Sequence, residues 1–209
     1  MEQYQFTTNW FQNVQGLWDQ LIPQLNPTKI LEIGSYEGAS TCYLIDRLSA
    51  QKAIEIHCID TWEGGMEHQP GGLVAADMAK VEQRFLHNTG LAIGRARNAV
   101  DLRRHKGPSD RELAKLLAEN KPGYFDFAYV DGSHQAADVL CDAVLSFKLV
   151  RTNGVIVFDD YLWAEHPPQM TDPLRCPKIA IDAFTTIFCR KMRIVPAPLG
   201  QIYVEKLAD

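Results

Sequence analysis

The sequence predicts an α/β fold in which a mostly parallel sheet is covered by helices on both faces. Short apolar segments of strand-like composition alternate along the chain with segments whose apolar residues recur at helical spacing. Strands that alternate with helices in this way are typical of parallel sheets. The last two strand-like runs, MRIVPAP and QIYVEK, are joined through Leu199 and Gly200 and therefore predict a hairpin. One strand is then expected to run antiparallel to the rest.

A helix is predicted before the first strand. Apolar residues at helical spacing occupy residues 10–22, and Pro23 and Pro27 end this pattern. We assign residues 1–27 to an N-terminal capping helix and residues 28–209 to a single domain. A chain of 209 residues, of which 46% are hydrophobic, is long enough for one well-buried core and short for two.

The elements of the fold follow in chain order, each from a local signal. Apolar, β-branched runs predict strands, and periodic apolar residues predict helices. The run SDRE at Ser109 is a capping-box pattern that predicts a helix start, and the turn at residues 152–154 precedes a strand. We predict, in order, a strand at 29–33, a helix at 38–49, a strand at 54–59, a helix at 73–88, a strand at 98–102, a helix at 109–120, a strand at 125–130, a helix at 134–150, a strand at 155–158 and a helix at 179–188.

Composition argues against several classes of function. The formal net charge is −5, and the one dense basic run, at residues 103–106, is too short to hold a nucleic-acid backbone. The five cysteines form no C-x-x-C pair, which argues against a disulfide framework or a zinc site. A secretory signal pattern and a bilayer-spanning apolar run are also missing from the sequence. We expect a cytoplasmic protein that binds neither nucleic acid nor membrane, and we leave its assembly open, with a homodimer as one alternative.

A glycine turn follows the first predicted strand, in KILEIGSYEGAS. Its pattern is E-x-G-x-x-x-G, with Glu32 before Gly34 and Gly38, whereas a dinucleotide-binding fingerprint has G-x-G-x-x-G. A carboxylate beside this turn would repel a pyrophosphate, but it suits a ligand that carries positive charge or hydroxyl groups. Asp60 follows the second strand, at the separation where an acid accepts hydrogen bonds from a ribose. Trp62 is expected either to stack on the attached base or to belong to the core.

Carboxylates also follow the later strands. Asp131 directly follows the strand at 125–130, and Asp159 and Asp160 directly follow the strand at 155–158. A single aspartate at such a place is commonly a helix cap, but a helix-cap role accounts less well for all of these residues together. Because ligands of parallel sheets bind outside the carboxyl ends of the strands, we predict a functional site at this edge.

Four motifs together resemble a known family. ILEIGSYEG, the acid in HCIDTW, FDFAYVDGSH and GVIVFDDY are similar to those of class I S-adenosylmethionine-dependent methyltransferases. The branch they resemble contains small-molecule O-methyltransferases with an I-D-G-S-H element, related to catechol and macrolide-sugar methyltransferases. The resemblance spans residues 28–205. It implies a doubly wound, Rossmann-like sheet of seven strands with the last strand antiparallel, and a ligand that is a sulfonium with a free amino group.

The resemblance assigns cofactor contacts residue by residue. Glu32 would lie beside the amino-acid end of S-adenosylmethionine, and Asp60 would bind the ribose. Ser109 would lie near the adenine edge, although a helix-capping serine explains its position equally well. Tyr36 stands where many class I enzymes have glycine, which suggests a tighter turn. The full set of expected cofactor residues is Glu32, Gly34, Ser35, Gly38, Asp60, Thr61, Trp62, Ser109 and Asp131.

The same resemblance implies a metal and a base. In the class I strand order, Asp131 and the pair Asp159 and Asp160 converge, and an all-oxygen site of three carboxylates favours Mg²⁺. The alternative is that the aspartate pair is structural and the enzyme works without metal. His134, three residues after Asp131, would be the general base for the acceptor hydroxyl, or it would only bind the backbone at a helix start. We assign His134 and Asp131 to catalysis.

Other functions and the acceptor are left open by the sequence. A nicotinamide dehydrogenase is disfavoured by the acid in the glycine turn and by the terminal hairpin. A non-catalytic nucleoside-binding protein would not need the aspartates and histidine of the later strand ends. His68 lies in a Gly/Pro-rich segment that is either a lid or a surface loop. Residues 63–73 and 161–176 are expected to shape the pocket of a small-molecule acceptor, which could be a sugar, a catechol or a natural-product hydroxyl.

Overall fold

The computed structural model describes residues 2–119, 121–167 and 169–209. The described residues form a sheet of seven strands in the order β3-β2-β1-β4-β5-β7-β6. The strands are β1 (Lys29–Ile33), β2 (Ile54–Asp60), β3 (Val100–Lys106), β4 (Phe125–Val130), β5 (Val150–Phe158), β6 (Met192–Val195) and β7 (Ile202–Lys206). The α-helices are α1 (Gln12–Leu25), α2 (Ala39–Leu48), α3 (Met78–Arg95), α4 (Ser109–Ala118), α5 (Ala136–Leu149) and α6 (Pro177–Ile187), and short 3₁₀ turns lie at Met66–His68 and Pro173–Arg175.

Strand pairing confirms the predicted mixed sheet. β1 pairs in parallel with β2 and β4, and β3 and β5 extend the sheet in parallel on either side. β7 is antiparallel to both of its neighbours, β5 and β6. The strand order reverses between β1 and β4, so the turns after these two strands face a common crevice.

Apolar layers cover both faces of the sheet. On one face α4, α5 and α6 pack through buried residues such as Leu113, Phe147 and Phe184. On the other face α1, α2 and α3 pack around Trp18 and Phe85. Trp18 is fully buried, and its ring meets those of two residues from β4 edge-on. The N-terminal helix is therefore packed into the core of the sheet, which fixes the position of the segment that precedes it.

Several predicted boundaries were wrong for identifiable reasons. α1 continues through Pro23 to Leu25, because the carbonyl of Ile22 still accepts from the Asn26 amide one turn on. α3 begins only at Met78, where the Asp77 side chain accepts from the Lys80 amide as an N-cap.

The other differences affect the predicted strands and the fourth helix. β3 runs on to Lys106, so the basic run belongs to a strand, and β5 begins at Val150 because an irregular register lengthens it. The predicted capping box is not formed, since Ser109 is the first residue of α4 and Pro108 precedes it without a side-chain cap. Asn120, the predicted end of this helix, lies outside the described residues.

None of the helices in the described residues is both long enough and apolar enough to span a membrane.

Candidate active site

A cavity of about 970 Å³ opens at the carboxyl edge of the parallel strands. The turns after β1, β2, β4 and β5 line it, together with the start of α4 and residues that precede α1. Of the residues expected to form a site, the wall contains Gly34, Ser35, Asp60, Thr61, Ser109, Asp131, His134, Asp159 and Asp160. The fold thus brings most of the predicted site residues into one cavity.

The glycine turn is held against the end of β4. Gly34 has a φ of +82°, and a Cβ atom there would lie 1.8 Å from the carbonyl oxygen of Asp131. Only glycine fits this approach, because any side chain would meet the neighbouring backbone. Gly38, with a φ of +80°, begins α2, but it faces Phe85 in the core and does not line the cavity among the described residues.

Asp60 is tied to this turn by backbone hydrogen bonds. Its Oδ2 accepts from the amides of Ser35 and Tyr36, both at 2.9 Å, and its Oδ1 accepts from the Trp62 amide at 2.7 Å. Burial raises the pKa of Asp60, while the three amides favour its charged form. The carboxylate is therefore fixed on the cavity wall before any ligand arrives, with Thr61 beside it.

Glu32 lies beneath the turn and not on the cavity wall. Its side chain is fully buried, and its carboxylate accepts from the hydroxyls of Ser35 at 2.7 Å, Ser40 at 2.6 Å and Thr41. The Cys58 thiol completes the set at 3.4 Å. Burial raises the pKa of Glu32. In this structure Glu32 holds the turn and the start of α2 together, and its contact with the amino-acid end of the cofactor stays a prediction.

Trp62 also differs from the expected base-stacking role. It has a φ of 49°, and its ring is turned into the core against Phe85, at a centroid distance of 4.9 Å. Its indole N–H donates to the carbonyl of Tyr36 at 3.0 Å. The side chain is 3% exposed. Trp62 therefore supports the glycine turn from behind, as the core alternative anticipated.

The aspartates of β4 and β5 meet through a tyrosine. The hydroxyl of Tyr129 lies 2.9 Å from Oδ2 of Asp131 and also bonds to Oδ2 of Asp159. One hydroxyl proton cannot serve two carboxylates, so the bridge is complete when one carboxyl group is itself protonated. Burial, followed by the charge of Asp159, raises the pKa of Asp131 well above its usual range. Burial and the charge of Asp160 raise the pKa of Asp159.

His134 is held by the third aspartate. Its Nε2 lies 2.9 Å from Oδ2 of Asp160, and its ring stacks on Trp163 with centroids 3.9 Å apart. Within the described residues its Nδ1 is buried and has no hydrogen-bond partner. This nitrogen faces the carboxylate of Glu67, whose Oε1 is 3.7 Å away. If Nε2 carries the proton that Asp160 accepts, Nδ1 is free to take a proton from a bound molecule.

The three aspartates offer only oxygen ligands, as Mg²⁺ prefers, but they are not arranged as a ligand set. The Tyr129 hydroxyl lies between Asp131 and Asp159, and Asp160 is turned toward His134. Among the described residues, no group of three or more Asp, Glu, His or Cys side chains has the arrangement of a metal site. The side chains as placed therefore do not fit the predicted magnesium centre.

Sequence reasoning missed several residues of the site. Tyr129 could have been found from strand alternation, because it lies two residues before Asp131 and shares its face. Glu67 and Trp10 had no such signal, since each lies outside the regular elements of the sheet. His68, expected in a lid or a surface loop, lies on the cavity wall and packs on Tyr36 with centroids 5.3 Å apart.

Comparisons with known proteins agree with the fold. A family model described as a methyltransferase domain matches residues 31–161, more than half of the chain. A probable caffeoyl-CoA O-methyltransferase of Dictyostelium discoideum is 26% identical over 163 residues, 76% of this chain and 55% of that protein. A caffeoyl-CoA O-methyltransferase of Populus kitakamiensis is 25% identical over 181 residues, 83% of this chain and 66% of that protein. The chain thus spans less than two thirds of the length of either relative.

Solved structures show the same fold at lower identity. A putative O-methyltransferase from Klebsiella pneumoniae aligns with a TM-score of 0.60 and 17% identity, covering 100% of this chain and 84% of that one. An O-methyltransferase from Bacillus cereus in complex with SAH aligns with a TM-score of 0.58 and 16% identity, covering 98% and 84%. The seven-stranded, mostly parallel sheet with an antiparallel strand near its C-terminal end is the Rossmann-like fold shared with these structures. The resemblance to class I S-adenosylmethionine-dependent methyltransferases is confirmed, and the chain belongs to the methyltransferase-domain family.

Proposed function

We propose that the protein transfers a methyl group from S-adenosylmethionine to a hydroxyl group of a small molecule. The observation that carries this proposal is the union of two half-sites in one cavity. One half is the glycine turn with Asp60, and the other is His134 with the aspartates of β4 and β5. Both curated relatives described above are named as O-methyltransferases, which supports transfer to oxygen.

The cofactor half of the cavity would be formed by Gly34, Ser35, Asp60, Thr61 and Ser109. S-adenosylmethionine, when bound, supplies a methyl group on a positively charged sulfur. Gly34 lets the ligand approach the backbone, and the fixed carboxylate of Asp60 is suited to accept hydrogen bonds from two ribose hydroxyls. The side chain of Ser109 lines the cavity at the start of α4, where the adenine edge would lie.

The acceptor half would use His134 as the general base. Asp160 holds Nε2, so Nδ1 would take the proton of the acceptor hydroxyl. The acceptor oxygen would bond to the methyl carbon as the carbon–sulfur bond breaks, leaving S-adenosylhomocysteine as the other product. The charge of Asp160 stabilises the imidazolium that results. Asp131 and Asp159 share a proton through the Tyr129 bridge, and the one remaining negative charge of this pair favours the same protonated state. The 3₁₀ turn at Met66–His68 lines the cavity and would help to exclude water from it.

A variant of His134 tests this role. In His134→Ala, turnover is expected to fall by about 10²- to 10⁴-fold with cofactor affinity nearly unchanged, and the acidic limb of the pH profile should disappear. His166→Ala is the matched control, because that side chain is exposed and does not line the cavity among the described residues. Unchanged rates in His134→Ala would remove His134 from the mechanism, and equal losses of rate and cofactor binding would place it in the nucleoside pocket.

Binding of the cofactor tests the proposal as a whole. Titration calorimetry is expected to show heat with S-adenosylmethionine and with S-adenosylhomocysteine. Lack of heat with both, together with binding of a nicotinamide dinucleotide, would overturn the methyltransferase function. Binding without transfer to any hydroxyl compound would favour the alternative of a non-catalytic nucleoside-binding protein on the same fold.

Assistance by Mg²⁺ is a second, separate proposal. Asp131, Asp159 and Asp160 would be its ligands after Tyr129 and His134 release them, and we assign no step of the reaction to the metal. The histidine and Asp160, as they are placed, suit the alternative of a metal-independent methyltransferase. Loss of turnover on chelation, restored by Mg²⁺, would support the metal, and an anomalous-scattering map of manganese-soaked crystals would locate it. Full turnover after exhaustive chelation would exclude it.

A further inference from the structure

The wall of the cavity carries negative charge without fixed positive charge. The described residues that line it include nine Asp and Glu residues and two histidines, but no lysine and no arginine. Some of these acids are protonated or hydrogen-bonded within the site, as for Asp131 and Asp159. Acceptor recognition in this cavity therefore has to work without the basic side chains that commonly bind phosphate and carboxylate groups.

Three basic residues near the cavity already have partners. Arg84 forms an ion pair with Glu37 at 2.9 Å, and Lys106, at the end of β3, with Glu82 at 2.5 Å. Lys80, in the first turn of α3, lies 3.2 Å from Asp77. Recruiting any of them to an anionic ligand would break an existing pair and leave its acid unpaired.

Glu67 concentrates this charge on the acceptor side. Its side chain is 8% exposed, and Oε1 lies 3.3 Å from Nδ1 of His68 and 3.7 Å from Nδ1 of His134. The His68 imidazole lowers the pKa of Glu67 to about 2, so the carboxylate is charged throughout the physiological range. A Cβ atom on Gly65 would lie 2.4 Å from Oε1, so the loop backbone packs closely against the carboxylate and fixes its position.

Aromatic rings stand beside this carboxylate. Trp10, Tyr36 and His68 pack on one another with centroid distances between 5.1 and 6.1 Å, and all three line the cavity. Ring faces attract cations and stack on planar groups, but they give no stabilisation to an anion. The aromatic wall and Glu67 thus select the same ligand charge by different interactions.

Resting on the function proposed above, we infer that the methyl acceptor is an uncharged or positively charged hydroxyl compound. Acyl-CoA thioesters, with their several phosphate charges, are excluded as acceptors by the same wall. The charge of Glu67 is the determinant of this choice, because it is the acid nearest to the base His134 on the loop side of the cavity. The acceptor class therefore differs from the one in the names of the caffeoyl-CoA O-methyltransferases to which the chain is similar.

Matched acceptors of different charge test the inference. Transfer of a radiolabelled methyl group is measured with catechol, dopamine and 3,4-dihydroxybenzoate, and with a hexose, its amino sugar and its uronic acid, with caffeoyl-CoA alongside. We expect methylation of neutral and amino members, and kcat/KM at least about tenfold lower for the acids and for caffeoyl-CoA. Equal or greater kcat/KM with an acid or with caffeoyl-CoA would overturn the inference.

A variant that removes one charge distinguishes the effect of Glu67 from that of the other acids of the cavity. Glu67→Gln keeps the shape of the side chain, and it is expected to lower kcat/KM for the amine relative to the acid of each set by about tenfold. Glu205→Gln is the control, since Glu205 pairs with Arg193 between β7 and β6, outside the cavity, and should leave this ratio unchanged. An unchanged ratio in Glu67→Gln would overturn the role of Glu67.

The cofactor is titrated in parallel, so that two failures can be told apart. If S-adenosylhomocysteine binds and no member of the panel is methylated, the acceptor class is wrong and the cofactor assignment stands. If the sulfur nucleosides do not bind, the proposed function itself is wrong.

Discussion

Asp60 ends β2 and Asp159 follows β5, both at the same edge of the sheet, yet their surroundings are opposite. Both oxygens of Asp60 accept backbone amides of the glycine turn and of its own loop. Asp159 instead shares the hydroxyl of Tyr129 with Asp131, and the charge of Asp160 lies beside it. The cofactor half of the cavity is therefore complete without a ligand. The acceptor half holds an excess of negative charge that a proton, a ligand or a cation has to balance.

The largest difference between the two halves should appear in Asp159→Asn. Removing this charge is expected to lower kcat by about 10²- to 10³-fold, because the imidazolium of His134 loses electrostatic support. Cofactor affinity should remain, and the melting temperature should stay equal or rise, since repulsion with Asp131 is relieved. Steady-state kinetics, calorimetry and thermal denaturation measure the three quantities. A parallel loss of cofactor affinity would contradict the separation of the halves.

Gly34→Ala changes the position where the glycine turn of the cofactor half packs against Asp131 of the acceptor half. The new Cβ would collide with the carbonyl of Asp131, and alanine would have to adopt a φ of +82°. We expect a loss of about 3 kcal/mol in the free energy of unfolding, together with loss of cofactor binding and of methyl transfer. Gly90→Ala in α3 is the control, because a Cβ there meets nothing within 4 Å. It should stabilise the helix by about 0.5 to 1 kcal/mol. Similar urea midpoints for both variants would refute this account of the turn.

Asp60→Ala should weaken the cofactor half alone. Binding of S-adenosylhomocysteine is expected to lose about 1.5 to 3 kcal/mol, the usual range for hydrogen bonds to a charged group. The three backbone amides that lose their acceptor should also make the turn less stable. Asp101→Ala, on the exposed part of β3, controls for a general change of charge. Wild-type affinity measured by calorimetry would show that Asp60 serves the turn and not the ligand.

Asp142 lies on the floor of the cavity, and its variant is expected to change how the stability of the protein depends on pH. This buried carboxyl group of α5 has an Oδ1 without a partner among the described residues, and burial raises its pKa to about 7. A raised pKa means that its contribution to stability is present below the unfolded value near 3.8 and is lost as pH rises through 7. Asp142→Asn lacks this titration.

The free energy of unfolding of Asp142→Asn, relative to the natural chain, should therefore rise by about 2 to 3 kcal/mol between pH 5 and pH 8. Urea denaturation at several pH values measures this difference. Parallel pH profiles for the two proteins would show that the carboxyl group titrates as it does in the unfolded chain.

Much of the sheet was predictable because its signals are local. β1 and β4 have the predicted bounds, since each is a short apolar run that a turn residue ends. The acids at strand ends were also placed correctly at one edge, because parallel strands share a direction. These features depend on composition and alternation within a few residues.

The roles of Glu32 and Trp62 depend on direction, which the sequence does not encode locally. Glu32 lies on the strand face that meets the hydroxyls of Ser40 and Thr41, and only the packing of α2 brings those groups to it. The φ of 49° at Trp62 turns its ring away from the cavity. A change of backbone direction at a single residue does not alter the spacing of apolar residues in the sequence.

The part of the cavity wall that the residues before α1 form was harder still to predict. The amide and the hydroxyl of Thr7 both donate to the carboxylate of Glu37, which lies in the glycine turn just before α2. Trp10 packs on Tyr36 of the same turn. These contacts join residues 26 to 30 positions apart through irregular backbone. Their geometry follows from the docking of α1 on the sheet through Trp18, so it becomes visible only when the tertiary structure is known.

The position of β7 has a consequence for how the protein folds. β7 follows β6 in the chain, yet it lies between β5 and β6, and β6 pairs only with it among the described strands. Until β7 joins the sheet, β6 has no strand to pair with among the described strands, and the edge of β5 stays open. An open edge of this kind invites pairing with other chains. The sheet is therefore most open to pairing with other chains in the folding steps that precede the insertion of β7.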